Sequence, residues 1–207
     1  MKKVINITML IVLGIFHVVP VYAGDNVLRV HTFELDDVDE IEINSTVGSI
    51  DLRLVEGKEM RVEVDIEAED RFFRRNIDVD DIDVEVRRRG DKLILTIDED
   101  YIKADWYIEL PVVNYIDIDM GVGEIDVEIG ASNLDINLGV GEIDIVAPLA
   151  STGEIEISAG VGDTSILGTS QVNNSRVIVA SESEGRGEGE LSIEAEVGVG
   201  DITVELL

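Results

Sequence analysis

The sequence has no cysteine, only three prolines and few aromatic residues: one tryptophan, four tyrosines and four phenylalanines in 207 residues. Without cysteine there is no disulfide framework, so stability must come from a core or a metal. Beyond residue 23 the only histidine is His31, and GxSxG, HExxH and P-loop spacings do not occur. The usual nucleophile, zinc and phosphate sites therefore lack their residues.

Basic residues are also scarce, with 16 against 45 acidic residues and a formal net charge of −29. A charge of this sign repels nucleic acid and anionic lipid, so neither is expected as a partner. Hydrophobic residues make up 45% of the chain, and they recur at regular spacing. This content is too high for a disordered acidic chain and is enough for one substantial core.

The first 23 residues have the pattern of an export signal. Lys2 and Lys3 precede the apolar run "MLIVLGIF" at 9–16, and "VYA" ending at Ala23 is a cleavage site. The apolar run is too short, and the residues around it are too polar, for a spanning helix, which needs about 20 apolar residues. Cleavage would leave 14 basic residues and a net charge of −31. We expect an exported protein in the periplasm, at the cell surface or outside the cell.

Two-residue alternation of apolar and polar side chains runs through most of the remaining chain, and helical periodicity is nearly absent. Alternation is typical of strands with one buried face, so the sequence predicts an all-β fold. "DRFFRR" at 70–75 breaks the pattern and is predicted to be a loop or one helical turn. The strand candidates before residue 112 are 41–44, 49–54, 60–69, 81–86, 92–97 and 105–111.

One phrase is repeated: "GVGEIDVEI" begins at 121, "GVGEIDI" at 139, "GVGDTSI" at 160 and "GVGDITV" at 198. At each copy the apolar residues change parity, as from Met120 and Val122 to Ile125 and Val127, with the valine counted on the inner face. A slip of one residue sends later side chains to the wrong face unless the chain bends, and glycine permits the bend. Five glycines are thus predicted to be corners: Gly48, Gly123, Gly141, Gly162 and Gly200.

The corners are separated by near multiples of 19 residues, which predicts stacked rungs of short strands in a β-solenoid or β-helix. We assign 1–23 to the signal peptide, 24–110 to a β-rich N-terminal part and 111–207 to the solenoid part, the last two forming one continuous domain. The first part is more like an antiparallel sandwich, with a hairpin at 84–95 whose turn contains the "RGD" of 89–91. A β-sandwich throughout is the alternative. The stretch 181–190 is predicted to be an exposed loop or a degenerate rung.

The segment "IELPVVNYIDIDMGVGEIDVEIGASNLDINLGVGEIDI" at 108–145 resembles the putative-adhesin domain of exported and envelope proteins of bacteria. The resemblance extends over roughly residues 40–207. It implies a β-solenoid with a looser β-rich first half, and it implies adhesion or envelope association. It supplies no catalytic residues.

Acidic residues follow the corner glycines. If the rungs stack in register, neighbours lie about 4.8 Å apart, and unit like charges at that distance repel by about 0.9 kcal/mol in water. Bound calcium is one way to relieve this repulsion, and a solvated acidic face is the other. The candidate ligands form two columns: Glu124, Glu142, Asp163 and Asp201 in one, Asp126 and Asp144 in the other.

The function expected from the sequence is an exported, adhesin-like structural or binding module of the cell envelope that is not an enzyme. Its partner would be an envelope component or a protein, and the C-terminal strand at 198–207 is a predicted edge for self-association. One alternative is a calcium-binding surface repeat protein. Another is a glycan-active β-helical enzyme that uses paired carboxylates. No cofactor is expected, with bound calcium as the alternative.

Overall fold

A computed structural model describes residues 26–68 and 78–207. The predicted signal peptide and the 70–75 segment therefore lie outside the described residues. The described part has thirteen strands and one 3₁₀ turn, Val79–Asp81, and no α-helix. The strands are β1 Asn26–Glu34, β2 Glu40–Leu54, β3 Glu59–Ala68, β4 Glu85–Arg89, β5 Lys92–Ile97, β6 Ile102–Leu110, β7 Tyr115–Glu128, β8 Asn133–Ala147, β9 Thr152–Val161, β10 Thr164–Leu167, β11 Val172–Val177, β12 Ala180–Arg186 and β13 Leu191–Leu206.

The strands form one mixed sheet in the order β1-β3-β6-β2-β7-β8-β13-β9-β12-β11, which confirms the all-β prediction. Pairing is antiparallel along β1-β3-β6, in the β4-β5 hairpin and along β9-β12-β11. It is parallel through β2-β7-β8-β13-β9. The last long strand of the chain, β13, thus lies between β8 and β9.

The five corner glycines occupy equivalent positions in this parallel region. All have φ between +142° and +151°, a conformation that L side chains rarely adopt. They also touch their neighbours through backbone: a Cβ on Gly141 would lie 1.7 Å from the carbonyl oxygen of Gly123, and one on Gly200 would lie 1.6 Å from that of Gly141. Both the torsion and the contact therefore require glycine.

Four of the corners divide a long strand into two arms, and Gly162 separates β9 from β10 in the same way. In β2, residues 40–45 pair with β5 and residues 48–54 pair with β6. We call the part of the sheet before the corners the first arm and the part after them the second arm. Ile43 of the first arm and Ile50 of the second are fully buried in one hydrophobic cluster. The inward faces of both arms therefore share one core. Each such buried side chain contributes about 1.5–3 kcal/mol to stability.

The valines between paired glycines do not lie on the inner face as predicted. Val122 is 47% exposed and Val199 is 48% exposed. The inner parity ends at Met120 and resumes at Ile125, because the residues between them turn the chain on the outside of the corner. The sequence showed the change of parity but placed it two residues too late.

The C-terminal strand is not an edge, which corrects the prediction of self-association through 198–207. Its residues pair with β8 throughout the second arm, and Thr203 also faces Ser165 of β10. Both sides of the strand are therefore occupied. The edges of the described sheet lie elsewhere, at β1, β10 and β11, and at the β4 hairpin beside β5.

Several smaller predictions can be compared with the structure. The hairpin at 84–95 is confirmed as β4-β5, with Gly90 in its turn. His31 is buried on β1, with Nε2 2.8 Å from Asp83 Oδ1. Two predictions were wrong. Only the end of 81–86 is strand, and most of 181–190 is strand β12, which pairs on both sides.

Candidate functional site

The outer face of the first arm carries a continuous row of carboxylates. One acidic residue from each of six neighbouring strands, β2, β7, β8, β13, β9 and β12, occupies the same register position. We call this set the acid row: Glu42, Asp117, Asp135, Glu194, Glu156 and Glu184.

A second row of polar residues lies two positions further along the same strands. It combines amides, hydroxyls and carboxylates, and consists of Asn44, Asp119, Asn137, Glu196, Ser158 and Glu182. Much of it lines a groove of about 950 Å³ that crosses the sheet from the β4-β5 hairpin to β9. The groove walls carry both signs of charge: the carboxylates of Glu42, Asp98, Asp119 and Glu196, and three basic side chains at the hairpin end.

Most of the positive charge on this face lies at its β4-β5 end, while Arg186 of β12 lies opposite Glu154 at the other end. Lys92 Nζ lies 2.6 Å from both Glu40 Oε1 and Glu42 Oε2, and 3.8 Å from Asp117 Oδ2. These hydrogen bonds raise the pKa of Lys92, and the bond from Lys92 lowers the pKa of Glu42. Arg87 and Arg89 of β4 line the same end of the groove. The carboxylates on β8, β13 and β9 lie further from this group.

Burial and neighbouring negative charges raise the pKa of ionisable groups in the middle of this face. Burial raises the pKa of Asp117 to about 6, and the nearby negative charge of Asp119 adds to the effect. Burial also raises the pKa of Asp119. The negative charge of Asp135 is the main cause that raises the pKa of Glu194, and burial raises the pKa of Tyr115 to about 12.

Repulsion between neighbouring negative charges adds to burial in these pKa shifts. Like charges directly opposite on neighbouring strands destabilise a sheet, and a row of six carboxylates places five such pairs side by side. A ligand that brings positive charge or hydrogen-bond donors would relieve the repulsion. The face is therefore suited to a cationic, donor-rich partner and unsuited to an anionic one.

The structure places the predicted acid columns at the corner. Glu124, Glu142 and Asp201 are register neighbours, and the backbone N–H of Asp163 donates to Asp201 Oδ1 at 2.7 Å. The spatial order is thus Glu124, Glu142, Asp201 and Asp163. Arg176 forms an ion pair with Asp163 at the end of this column.

The second predicted column is also in register. Asp126 and Asp144 face each other, and Asp51 of β2 lies on the far side of Asp126. Burial raises the pKa of Asp126, with the charges of Asp144 and Asp51 adding to it. Within residues 26–68 and 78–207, no three acidic or histidine side chains are grouped in a way that could hold a metal ion. Calcium binding stays a prediction.

Sequence reasoning missed the acid row because it concentrated on the residues after the glycines. In each of the five copies the acid lies six residues before the corner glycine, from Glu42 before Gly48 to Glu194 before Gly200. Alignment of the copies on that glycine would have revealed the row. Only Glu184, on the antiparallel strand β12, does not lie six residues before a corner glycine and needed the structure.

Comparison with known proteins identifies relatives of the chain. The family described as "N-terminal domain of toast_rack, DUF2154" matches residues 23–167. A putative cell adhesion protein from Clostridium sporogenes is 16% identical, with a TM-score of 0.50 over 87% of this chain and 99% of that one. A putative adhesin from Bacteroides fragilis is 14% identical, with a TM-score of 0.31 over 86% of this chain and 96% of that one.

No curated protein matches the chain by sequence. No helix within residues 26–68 and 78–207 is long and apolar enough to cross a membrane. The resemblance drawn from residues 108–145 is confirmed at the level of the family and of the all-β class.

Proposed function

The chain belongs to the family of toast_rack N-terminal domains, and from this premise we propose that it is an exported, adhesin-like binding module of the cell envelope. The module holds a partner without chemical turnover. The adhesion-related names of structurally similar proteins and the signal-like first 23 residues support this assignment. Export places it in the periplasm, at the surface or outside the cell.

The acid row is the observation that carries the proposal. Its six carboxylates stand on neighbouring strands at about 4.8 Å spacing, so they present a straight, rigid array. Residues on a flat sheet need no reordering to bind, which reduces the entropy cost of association. The proposed partner is an envelope component or protein whose cationic groups repeat along an extended surface.

A solenoid-like stack is the architecture we propose for the parallel region. β7 and β8 are consecutive in the chain and pair in parallel, with Gly123 opposite Gly141. Such pairing 18 residues apart is typical of adjacent rungs. The antiparallel strands of the first half fit a sandwich equally well, so the β-sandwich stays the alternative description of the whole fold.

Binding of residues 24–207 to immobilised cell-envelope material tests the function. The informative variant is Glu42→Gln/Asp135→Asn/Glu194→Gln, which removes three charges from the acid row while keeping side-chain shape. The matched control, Glu99→Gln/Glu188→Gln/Glu205→Gln, removes three exposed charges elsewhere. We expect the row variant to lose at least tenfold in affinity and the control to retain it.

Equal binding by the row variant and the control would contradict the role of the row. Failure of all three proteins to bind would contradict the binding module itself. Release of soluble product from a glycan panel, abolished by neutralising a carboxylate pair, would instead support the glycan-active enzyme. The row variant is folded if it keeps a cooperative thermal transition, in which the repulsion removed at Asp135 and Glu194 offsets the loss of the contact between Glu42 and Lys92.

A further inference from the structure

A second surface, independent of the acid row, lies on the outside of the corners. The valine of each Gly-Val-Gly step is a register neighbour of the next: Val122 opposite Val140, Val140 opposite Val199, and Val199 opposite Val161. These four side chains are 46–48% exposed. They form a straight line of aliphatic groups on the solvent side of the molecule.

The line continues onto the β11-β12 hairpin. Ser181 of β12 is opposite Ala159 of β9 in an antiparallel pair, so two residues further Val179 comes opposite Val161. The backbone N–H of Gly162 donates to the carbonyl of Val179 at 3.1 Å and fixes this position. Val179 is 51% exposed. We call these five residues the valine ridge: Val122, Val140, Val199, Val161 and Val179.

The hairpin tip beside the ridge is strained. Ile178 has φ of +59°, a region in which a β-branched residue is an outlier, and its side chain is 91% exposed. Such a conformation costs about 1–3 kcal/mol, and an exposed isoleucine recovers none of it by burial. Glycine or asparagine would form this turn at lower cost. The residue present therefore favours a contact with another molecule.

Glycines isolate the ridge from other side chains. In each Gly-Val-Gly step both chain neighbours of the valine lack a side chain, as Gly121 and Gly123 do for Val122. The row of first glycines is packed backbone to backbone: a Cβ on Gly139 would lie 2.4 Å from the carbonyl oxygen of Gly121. The valines accordingly stand above a strip of bare backbone, where a partner can approach them closely.

Acidic residues accompany the ridge on one side. The residue two positions after each of the four step valines is Glu124, Glu142, Asp201 or Asp163, and all four are exposed. Of these four acids, Asp163 is the one that forms an ion pair with Arg176. A surface that combines an apolar line with a parallel line of acids complements a segment whose apolar stripe is flanked by lysine or arginine.

We propose that the valine ridge docks a cationic amphipathic segment of another protein. The five ridge residues span about 19 Å at the spacing of neighbouring strands, which is the length of about 13 residues of α-helix. A second copy of this chain would place acids against acids, and the net charge of −29 opposes an anionic membrane. Neither occupant matches the charge beside the ridge.

Fluorescence anisotropy with synthetic 16-residue peptides tests the inference. The striped probe carries leucines at i, i+3, i+4 and i+7 spacing with flanking lysines, and a scrambled probe has the same composition without a stripe. The key variant is Val122→Thr/Val140→Thr/Val199→Thr, since threonine keeps the β-branched shape and the strand preference. Val112→Thr, at an exposed valine outside the ridge, is the control.

We expect the striped probe to bind the native chain and the Val112→Thr control at least tenfold more tightly than the triple variant. Glu124→Gln/Glu142→Gln should weaken binding several-fold and reduce its dependence on salt. Equal affinity for the scrambled probe, or for the triple variant, would overturn the proposal, because charge alone would explain binding. So would absence of binding, or binding of neutral lipid vesicles in place of the peptide.

The test is separate from that of the proposed function. The acid-row variant leaves the valine ridge intact, and the triple valine variant leaves the acid row intact. Loss of peptide binding without loss of envelope binding, or the reverse, therefore shows which of the two surfaces has been wrongly assigned.

Discussion

At the scale of single residues, the corner glycines determine where every other side chain lies. Each combines a positive φ with backbone contact to the next corner, so both the bend and the close approach of the strands depend on it. The neighbouring row, formed by the first glycine of each Gly-Val-Gly step, has a threonine at one place. Thr46 stands where Gly121 stands in the next strand, and it begins the row, since β5 ends opposite Ser45. A side chain is tolerated there because no strand backbone blocks it.

Gly141→Ala should be far more destabilising than Gly57→Ala. Both glycines have positive φ, +148° and +128°, but a Cβ on Gly57 meets nothing within 4 Å. The strained torsion alone costs about 1–3 kcal/mol, and the clash at Gly141 adds a comparable overpacking cost. Urea denaturation measures both losses in the free energy of unfolding. Equal losses would show that torsion, and not strand contact, requires glycine at the corners.

At the scale of strands, repulsion within the acid row lowers the stability of the sheet, and the same row is the proposed binding surface. Burial and neighbouring carboxylates raise the pKa of Asp117 to about 6 from an ordinary value of 3.8. The folded protein thus binds this proton more tightly than the unfolded chain does. The associated stability is present below about pH 4 and is lost as the pH rises through about 6.

Asp117→Asn should therefore stabilise the protein above pH 7 and have little effect below pH 4. The gain is on the order of 1–3 kcal/mol, reduced by loss of the contact with Lys92. Thermal melts between pH 3.5 and 8 measure it, with Glu205→Gln on the second arm as the control. A difference between Asp117→Asn and the native chain that does not change with pH would contradict the assigned cause.

The strands also show what the sequence can and cannot predict. Alternation identified most strands, and the change of parity identified all five corners, because both follow from which face is buried. The order of strands was not predictable. β13 enters between β8 and β9 although β9 follows β8 in the chain, and a periodic core pattern is compatible with either order. The sequence could predict only part of the acid row, because Glu184 belongs to it through an antiparallel strand.

At the scale of the whole molecule, charge opposes compactness. The net charge is −29, and the excess acidic side chains repel one another in the folded protein. Added salt should stabilise the fold because it screens this repulsion. We predict that the thermal midpoint rises with sodium chloride. If the corner columns also bind calcium, the midpoint in calcium chloride exceeds that in sodium chloride with chelator at the same ionic strength. Identical midpoints at matched ionic strength would exclude the calcium hypothesis.

Both proposed surfaces depend on one structural claim, that the corner repeats align in a single register with β13 between β8 and β9. The native chain has no cysteine, so introduced pairs can be tested without background. Asp135 and Glu194 are direct neighbours in the acid row, whereas Glu156 lies one strand beyond Glu194. Those separations are about 4.8 and about 9.6 Å.

The decisive measurement is crosslinking of cysteine pairs by a short thiol-specific reagent such as dibromobimane, read by fluorescence of the monomer. We predict that Asp135→Cys/Glu194→Cys crosslinks readily and that Asp135→Cys/Glu156→Cys does not. Efficient crosslinking of the second pair and not the first would mean that the repeats stack in chain order. That result would contradict the register on which the acid row and the valine ridge are built.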